Sequence, residues 1–292
     1  MRLGKLLKVL VAAVVICSVD GTLRGAEAPS GTPFSIDLLE VRLDSGGGDA
    51  GAGRSVAEGT WLRIRGFGIY SEASSRLNFD DTVPLIRNDI DFEDTLGMDM
   101  DKFTGGALVG FNFGNEKRWH FDVSFNGYYD YTGTRDVGSL EFNGTVFTGT
   151  VKSELEVLEG IASISYDIWR PESPALTLTT GLDFHLFYAR AQLTQVVGTQ
   201  SDEYTLWVPV PAPSVALRWD ITPNLYVRGS AAGLWLGEFG NFYDLSAEVG
   251  YDFTRNLGVF AGCRYWSIHV EYNDDEFDFD NSSVYAGVEV RF

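Results

Sequence analysis

The stretch Ser282–Phe292 reads S-S-V-Y-A-G-V-E-V-R-F and decides the fold class. Alternate residues of a β-strand point to opposite faces. One face here is apolar and carries Val284, Ala286, Val288, Val290 and Phe292, and the other carries Tyr285, Gly287, Glu289 and Arg291. This pattern is typical of a strand with lipid on one side and a polar lumen on the other. In a soluble β-sandwich the charged face would be solvated, so the rest of the chain has to decide between the two.

The ending also resembles the C-terminal strand of bacterial outer-membrane β-barrels, whose final Phe is read by the insertion machinery. The resemblance implies that Val288, Val290 and Phe292 form a membrane-insertion signal. It implies a Gram-negative cell envelope and three partners: the barrel-assembly machinery, outer-membrane lipid and lipopolysaccharide. It covers roughly residues 60–292 and specifies a class of small single-chain barrels.

The first 28 residues predict a secretory signal peptide. Arg2, Lys5 and Lys8 form a basic region, and an apolar run from Val9 to Cys17 follows, too short to span a bilayer. Residues 29–59 are predicted to be a periplasmic N-terminal segment or linker, with a Gly-rich stretch at 46–53. Residues 60–292 are predicted to form the membrane domain.

The composition agrees with a barrel in the outer membrane. No later segment has eighteen consecutive apolar residues, so no transmembrane helix is predicted. Aromatic residues make up 14% of the chain, which suits rings at the membrane boundaries. A net charge of −19 excludes nucleic-acid binding through the overall field. Cys263 would be the one cysteine left after export, and we assign it no role.

Period-two alternation predicts ten strands. They cover 60–71, 104–113, 118–132, 145–168, 175–196, 204–219, 224–236, 241–253, 257–272 and 282–292. The third strand is predicted to point Trp119, Phe121, Val123, Phe125, Tyr129 and Tyr131 outward. Several strands exceed the ~9–11 residues needed to cross a tilted barrel wall, so we expect them to continue above the outer surface.

The connections alternate in length, with 237–240 as the exception. Short links fall at 114–117, 169–174, 220–223 and 254–256, and longer ones at 72–103, 133–144, 197–203 and 273–281. Short periplasmic turns and long extracellular loops are the barrel convention. The predicted fold is therefore all-β, a transmembrane antiparallel up-and-down barrel of about ten strands, with eight as the alternative.

Charged residues on the inward faces predict a network inside the lumen. Its members are Arg63, Arg65, Asp122, Glu159, Asp183, His185, Arg218, Arg228, Glu248, Glu289 and Arg291, and Asp244 and Arg264 fall inward by the same count. A barrel of eight to ten strands is about wide enough for side chains alone. We therefore expect a monomer with a structural role, or a narrow pore for small solutes or ions.

Two alternative functions stay open. Asp183 with His185, and Asp89 with Asp91, resemble the paired residues by which the ten-stranded omptin proteases activate a water. A surface hydrolase of this or a lipid-modifying kind is one alternative, although no convincing catalytic set is present and no catalytic residue is assigned.

The second alternative is an adhesin or receptor that uses acidic extracellular loops. The stretch Asn273–Asp280 reads N-D-D-E-F-D-F-D, and the loop at 72–103 is also acidic. Alternating carboxylates can ligate Ca²⁺, so calcium at these loops is a hypothesis. No other cofactor and no dedicated metal site is predicted.

Overall fold

A computed structural model describes residues 60–78, 89–171, 176–235, 237, 240–272 and 275–292. The predicted signal peptide at 1–28 and the N-terminal segment at 29–59 lie outside the described residues. Within these ranges no helix is long and apolar enough to cross a membrane.

The structure confirms a closed antiparallel barrel of ten long strands, with one three-residue strand added at an end. The strands are β1 (Leu62–Asn78), β2 (Asp89–Asp91), β3 (Asp101–Phe113), β4 (Trp119–Phe142), β5 (Thr145–Trp169), β6 (Leu176–Gln195), β7 (Ser201–Asp220), β8 (Leu225–Trp235), β9 (Gly240–Asp252), β10 (Leu257–Tyr272) and β11 (Asp275–Arg291). A short 3₁₀ helix spans Asn115–Lys117. Each long strand pairs with the next, β2 adds to β1, and β11 pairs with β1 to close the barrel.

An apolar belt covers the outside of the barrel. Ile64, Val123, Phe184 and Val288 belong to a large set of apolar side chains exposed on the outer face. Rings border the belt at both ends: Trp119 lies 4.9 Å from Tyr166, and Tyr188 lies 4.7 Å from Trp207, measured between ring centroids. Such a belt between two aromatic girdles is the lipid-facing surface of a membrane barrel. The start of β1, the end of β11 and the short turns mark the periplasmic end of the barrel, and the other end is extracellular.

The extracellular connections are shorter than predicted because the strands run on. The predicted loop at 133–144 is a two-residue turn, Asn143–Gly144, between β4 and β5. Both residues have positive φ, 50° and 76°, as a type I′ hairpin turn requires. β1 likewise continues to Asn78, and β11 begins at Asp275. The predicted continuation of the strands above the membrane is therefore confirmed, and the prediction of long loops is wrong at 133–144 and 273–281.

The outward assignment of Tyr129 and Tyr131 is wrong. The pairing of β4 with β5 shifts between Phe125 and Tyr128, which inserts a β-bulge. A bulge adds one residue to one strand and reverses the faces beyond it. Tyr129 and Tyr131 consequently point inward and are buried, and Tyr128 takes the outward position.

An apolar core fills the extracellular half of the lumen. Its members include Tyr131, Phe142, Phe147, Phe187, Trp266 and Phe279, contributed by five different strands. The segment 92–100, which we call the plug, enters this core from above with Phe92, Leu96 and Met98 buried. Its turn is closed by hydrogen bonds from the Thr95 amide to the Asp91 carbonyl (2.8 Å) and from the Gly97 amide to the Glu93 carbonyl (2.9 Å). These hydrogen bonds form a tight turn around Leu96 at the barrel mouth.

Candidate functional site: a layered lumen

A cluster of charges crosses the periplasmic half of the lumen. Arg65 on β1 donates from Nη2 to Glu248 Oε1 on β9 (2.6 Å) and pairs through Nε with Glu289 Oε2 on β11 (2.8 Å). Its guanidinium carbon lies 3.6 Å from the ring centroid of Phe260. Tyr226 donates its hydroxyl proton to Glu248 at 3.1 Å. We call these five residues the lower cluster; its three charges are buried.

Further ion pairs surround the lower cluster. Arg291 pairs with Glu289 and, through Nη2, with Asp252 Oδ1 (2.7 Å). Arg63 pairs with Asp122 on β4 (Nη2–Oδ2 2.5 Å), in space left by Gly110, where an added Cβ would lie 2.1 Å from Asp122. Closer to the periplasm, Arg218 Nε pairs with Asp220 Oδ1 at 2.9 Å. Such pairs hold neighbouring and distant strands together across a narrow lumen.

A second cluster, which we call the middle cluster, lies between the charges and the apolar core. Arg264 on β10 makes two 2.5 Å contacts with Glu159 on β5 and also contacts Asp244 on β9 (Nη2–Oδ2 2.7 Å). His185 Nδ1 lies 3.2 Å from Glu159 Oε1. The imidazole is 1% exposed, its ring centroid lies 4.5 Å from that of Phe242, and its Nε2 has no hydrogen-bond partner.

A polar chamber of about 190 Å³ separates these clusters. Its wall carries the hydroxyls of Ser163, Ser230 and Ser246 together with Asp183 and Arg228. In the described part of the chain no ion pair within 4.0 Å reaches Asp183 or Arg228. Arg228 instead faces Glu248 across the β8–β9 ladder. All eleven residues predicted for the lumen network therefore point inward. They form separate clusters, however, and Asp183 and Arg228 make no ion pair among the described residues.

The structure does not bring the two proposed omptin-like pairs together. Asp183 and His185 line the chamber and the middle cluster, below the apolar core. Asp89 lies on β2, beside the extracellular end of β1, and its carboxylate accepts hydrogen bonds from Arg76 Nε and Nη2, both at 2.7 Å. Asp91 caps the plug turn by accepting from the Asp94 amide. The plug and the apolar core lie between the pairs, so they cannot share one water.

Two groups of side chains have the spacing of metal ligands among the described residues. The first is Glu159, His185 and Asp244, but Arg264 already supplies a cation to both carboxylates. The second, His269 with Glu276 and Asp278, lies at the outer end of β10 and β11, with His269 Nδ1 2.6 Å from Asp278 Oδ1. Calcium at the acidic loops stays a prediction.

Two residues of the lumen ion-pair layer were not predicted from the sequence. Tyr226 and Asp252 complete the ion-pair layer but were not predicted as members. Tyr226 lies two residues from Arg228 on the same face, so strand alternation was a sufficient signal for it. Asp252 lies four residues from Glu248 on the same face of β9, so strand alternation was a sufficient signal for it as well, and the contact to Arg291 shows its partner.

At the extracellular end, Asp202 on β7 fastens the tip of the β4–β5 hairpin. Its carboxylate accepts from Thr145 Oγ1 (2.5 Å) and Asn143 Nδ2 (3.2 Å). Partial burial would raise the pKa of Asp202, but these hydrogen bonds and one from the Glu203 amide outweigh it and lower the pKa. The charged form of Asp202 is thus the one that holds the hairpin.

Comparison with known proteins supports the fold and no closer relationship. No protein-family model matches the chain, and no curated protein matches it. Among solved structures, the outer-membrane protease OmpT of Escherichia coli superposes with a TM-score of 0.50 at 10% identity, covering 81% of this chain and 98% of that one.

The chain folds as an outer-membrane β-barrel. Its apolar belt places it in contact with outer-membrane lipid. Neisserial surface protein A (TM-score 0.34, 17% identity, 79% of this chain and 97% of that one) and the attachment invasion locus protein Ail of Yersinia pestis (0.36, 11%, 78% and 99%) are also similar, but more distantly in shape. At these identities the likeness concerns the fold alone.

Proposed function

We propose that this protein is a non-enzymatic structural barrel whose lumen is sealed. The observation that carries the proposal is the apolar core, which fills the extracellular half of the lumen with buried rings and receives the plug from above. Transfer of a hydrated ion from water into such an apolar environment costs several kcal/mol of free energy, so the core is a barrier to conduction. The lower cluster adds a second barrier, because its charges already satisfy one another.

The chamber lies between the two barriers and is bordered by Tyr129 of the apolar core and by Arg65 and Glu248 of the lower cluster. About 190 Å³ holds a few waters, at roughly 30 Å³ for each. These waters would form hydrogen bonds with the serine hydroxyls, Asp183 and Arg228, which are the polar groups of the chamber wall that make no ion pair. The sequence also allowed a narrow pore for small solutes or ions. Such a pore would require both barriers to rearrange.

Conductance of the purified protein tests the proposal. The protein is refolded into planar bilayers, and folding is checked first by its faster gel migration in SDS before boiling. We expect no steady conductance steps from the folded band, whereas steady small steps would overturn the sealed lumen. Boiled protein added to the same bilayers controls for leakage caused by insertion defects.

The surface-hydrolase alternative is weaker than the structural role. His185 belongs to the middle cluster, where its side chain is 1% exposed and lies beneath the apolar core. A hydrolase activity of the purified protein that is lost in His185→Ala, with folding retained on the gel, would favour the enzyme over our proposal.

A surface-binding role is a second candidate because the barrel wall rises above the membrane. Beyond the outer girdle β4 and β5 carry the acidic residues Asp130, Glu154 and Glu156 on their outer faces. Lys152 pairs with Glu154 and Arg190 Nη1 lies 3.6 Å from Glu156 Oε1, so a basic partner would have to compete with these two pairs and would meet Asp130 first. Retention on immobilised polylysine that disappears when the three residues are changed to Asn or Gln tests the role.

We infer that assembly uses Phe292 as an insertion signal and that the protein is a monomer. The Phe292 ring is exposed on the lipid side, while its backbone amide bonds the Leu62 carbonyl at 2.9 Å. Phe292→Ala therefore keeps the closing hydrogen bond and removes only the ring. We expect less Phe292→Ala protein in the outer membrane but unchanged refolding in detergent; an equal loss in both would mean a packing role instead.

A further inference from the structure

A histidine and two carboxylates meet on the outer face of the β10–β11 hairpin. His269 lies opposite Asp278 in the ladder, and its Nδ1 is 2.6 Å from Asp278 Oδ1 and 3.8 Å from Glu276 Oε1. One ligand atom from each of the three residues lies within 4.8 Å of the other two. The three side chains are between 28% and 41% exposed, so solvent reaches them. We call these three residues the rim triad.

The register of β10 and β11 brings the rim triad together. Residues two apart on a strand share a face, so Glu276 and Asp278 point outward on either side of Phe277, which packs against the apolar core. His269 points outward from β10, since its neighbour Ile268 is buried in that core. Opposite residues on one face of an antiparallel pair have Cβ atoms about 4.5–5.5 Å apart. The backbone pairing therefore holds the imidazole beside the carboxylates.

The rim triad lies above the membrane. Tyr243 and Tyr265, whose ring centroids are 5.8 Å apart, continue the outer girdle on β9 and β10. His269 is four residues beyond Tyr265 on the same face, roughly 13 Å farther along the strand. An ion from the medium can therefore reach the triad without crossing lipid.

The corner around the rim triad is short of positive charge. Arg76 of β1 faces Asp278 across the closing ladder, but its guanidinium donates to Asp89 from Nε and Nη2, both at 2.7 Å. Among the described residues, the ion pairs of the two triad carboxylates within 4.0 Å are those with the triad histidine. Glu271 lies directly opposite Glu276, and like charges in that position repel each other. A bound cation would relieve this repulsion.

We propose that the rim triad binds one divalent transition-metal ion of the zinc class. Zn²⁺ takes His nitrogen and Asp or Glu oxygen at about 2.0–2.2 Å, and two such ligands in a tetrahedral shell lie roughly 3.4 Å apart. The 2.6 Å contact then opens by about 0.8 Å and the 3.8 Å contact closes by about 0.4 Å, which side-chain rotation allows. Water completes the shell. The site goes beyond the structural role, because it lies outside the lumen.

The imidazole decides the class of metal. Ca²⁺ and Mg²⁺ take oxygen ligands, so carboxylates alone would favour them. Imidazole nitrogen suits zinc, copper and nickel. Nδ1 now shares a hydrogen with Asp278 Oδ1, and a ligating nitrogen has to present its lone pair instead. The ion takes the place of that hydrogen, which moves to Nε2 or is released to water.

Titration calorimetry of the refolded protein tests the site. The protein carries no polyhistidine tag, is stripped with a chelator and is titrated in detergent with Zn²⁺, alone or with equimolar Ca²⁺. We expect one Zn²⁺ per chain and no displacement by Ca²⁺. Absence of Zn²⁺ binding would overturn the proposal and leave His269 and Asp278 as a plain cross-strand hydrogen bond. Displacement by equimolar Ca²⁺ would also overturn it, since it would identify a site made of oxygens alone.

Matched substitutions separate ligation from attraction by an acidic surface. Asp278→Asn and Asp280→Asn remove the same charge from the same face of β11, but Asp280 accepts from Tyr265 and lies outside the triad. Asp278→Asn and His269→Gln should each weaken Zn²⁺ binding at least about tenfold, since even the outer-shell partners of metal ligands are worth that much. Asp280→Asn should weaken it less than about threefold in 0.15 M salt.

The variants also define what would refute the site. Every variant is checked for folding by its gel migration before boiling, and Glu276→Gln replaces a triad variant that fails. Equal weakening by Asp278→Asn and Asp280→Asn would mean general attraction to an acidic surface. Zn²⁺ binding that is unchanged in folded His269→Gln would refute the imidazole as a ligand, and the proposal with it.

Discussion

Removing the Arg65 side chain is predicted to destabilise the barrel strongly. Arg65→Met removes the cation that is paired with Glu248, and the remaining partners of Glu248 are the hydroxyls of Tyr226 and Tyr285. Arg228 faces Glu248 across the β8–β9 ladder but makes no ion pair with it within 4.0 Å in the described residues. Glu289 keeps Arg291. Breaking a buried ion pair by removing one partner costs about 3–5 kcal/mol, because the charge that remains is buried and uncompensated.

The same strand provides a matched control. Arg76 on β1 also pairs with a carboxylate, that of Asp89, but on the outer surface above the membrane, with side chains 54% and 40% exposed. The Arg65 and Glu248 side chains are 9% and 5% exposed. Exposed pairs contribute about 0–1 kcal/mol, so Arg76→Met should cost no more than that.

The assay is urea unfolding of the protein in lipid vesicles, followed by loss of the fast-migrating gel band. Arg65→Met should lower the free energy of unfolding by about 3–5 kcal/mol relative to the parent. Arg65→Met combined with Glu248→Gln should recover about 1–3 kcal/mol, because the stranded charge is removed. Equal losses for Arg65→Met and Arg76→Met, or no recovery in the double variant, would refute the assignment of the lower cluster as a buried, mutually compensated network.

Three further predictions concern the extracellular half. Gly133→Ala should speed amide exchange throughout the plug, since its Cβ would lie 2.5 Å from the Leu96 carbonyl oxygen, whereas Gly105→Ala meets nothing closer than 3.8 Å and should leave exchange unchanged. The NMR chemical shift of the Asn143 side-chain amide should titrate with the Asp202 carboxylate, with a midpoint below the pKa of ~3.9 of a free Asp. The hydrogen bonds to Asp202 stabilise the hairpin above the unfolded pKa, and this stabilisation is lost as the pH falls through the lowered folded pKa. Asp202→Asn should abolish the titration. Gly144→Val should cost at least about 1–2 kcal/mol of local stability at φ 76°, seen as proteolysis of the hairpin tip, and intact protection would contradict the turn assignment.

The sequence predicts the barrel well because membrane and lumen impose a strict period of two. Strand alternation places Arg65, Glu159 and Arg264 in the lumen without knowledge of the fold. It fails at Tyr129, where a bulge reverses the faces, since the cost of a bulge depends on partners in the neighbouring strand.

Strand alternation does not predict which side chains contact one another inside the lumen. Arg264 and Glu159 are 105 residues apart in the chain, and only strand order, register and tilt bring them together. The sequence contains the Asn143–Gly144 turn signal, but the stretch around it carries charged and polar residues that also suit a loop. The pairing of β7 with β8 ends at Ser214↔Ala232, a limit that alternation alone does not specify.

The change in character along β1 has a consequence for how the barrel closes. Its inward residues pass from Arg63 and Arg65 through Phe67 and Ile69 to Ser71, and Arg65 faces Glu289 across the closing seam. Alternation protects only against slips by an odd number of residues, which would turn every side chain over. A slip by two keeps all faces correct, but in one direction it would set Glu289 opposite Phe67 and Arg291 opposite Arg65. In the other direction Glu289 would face Arg63, and Arg65 would face Gly287 and lose its carboxylate partner on β11. The order of charged and apolar residues along β1 and β11 thus disfavours slips by two, which alternation alone does not disfavour, at the seam that closes the barrel.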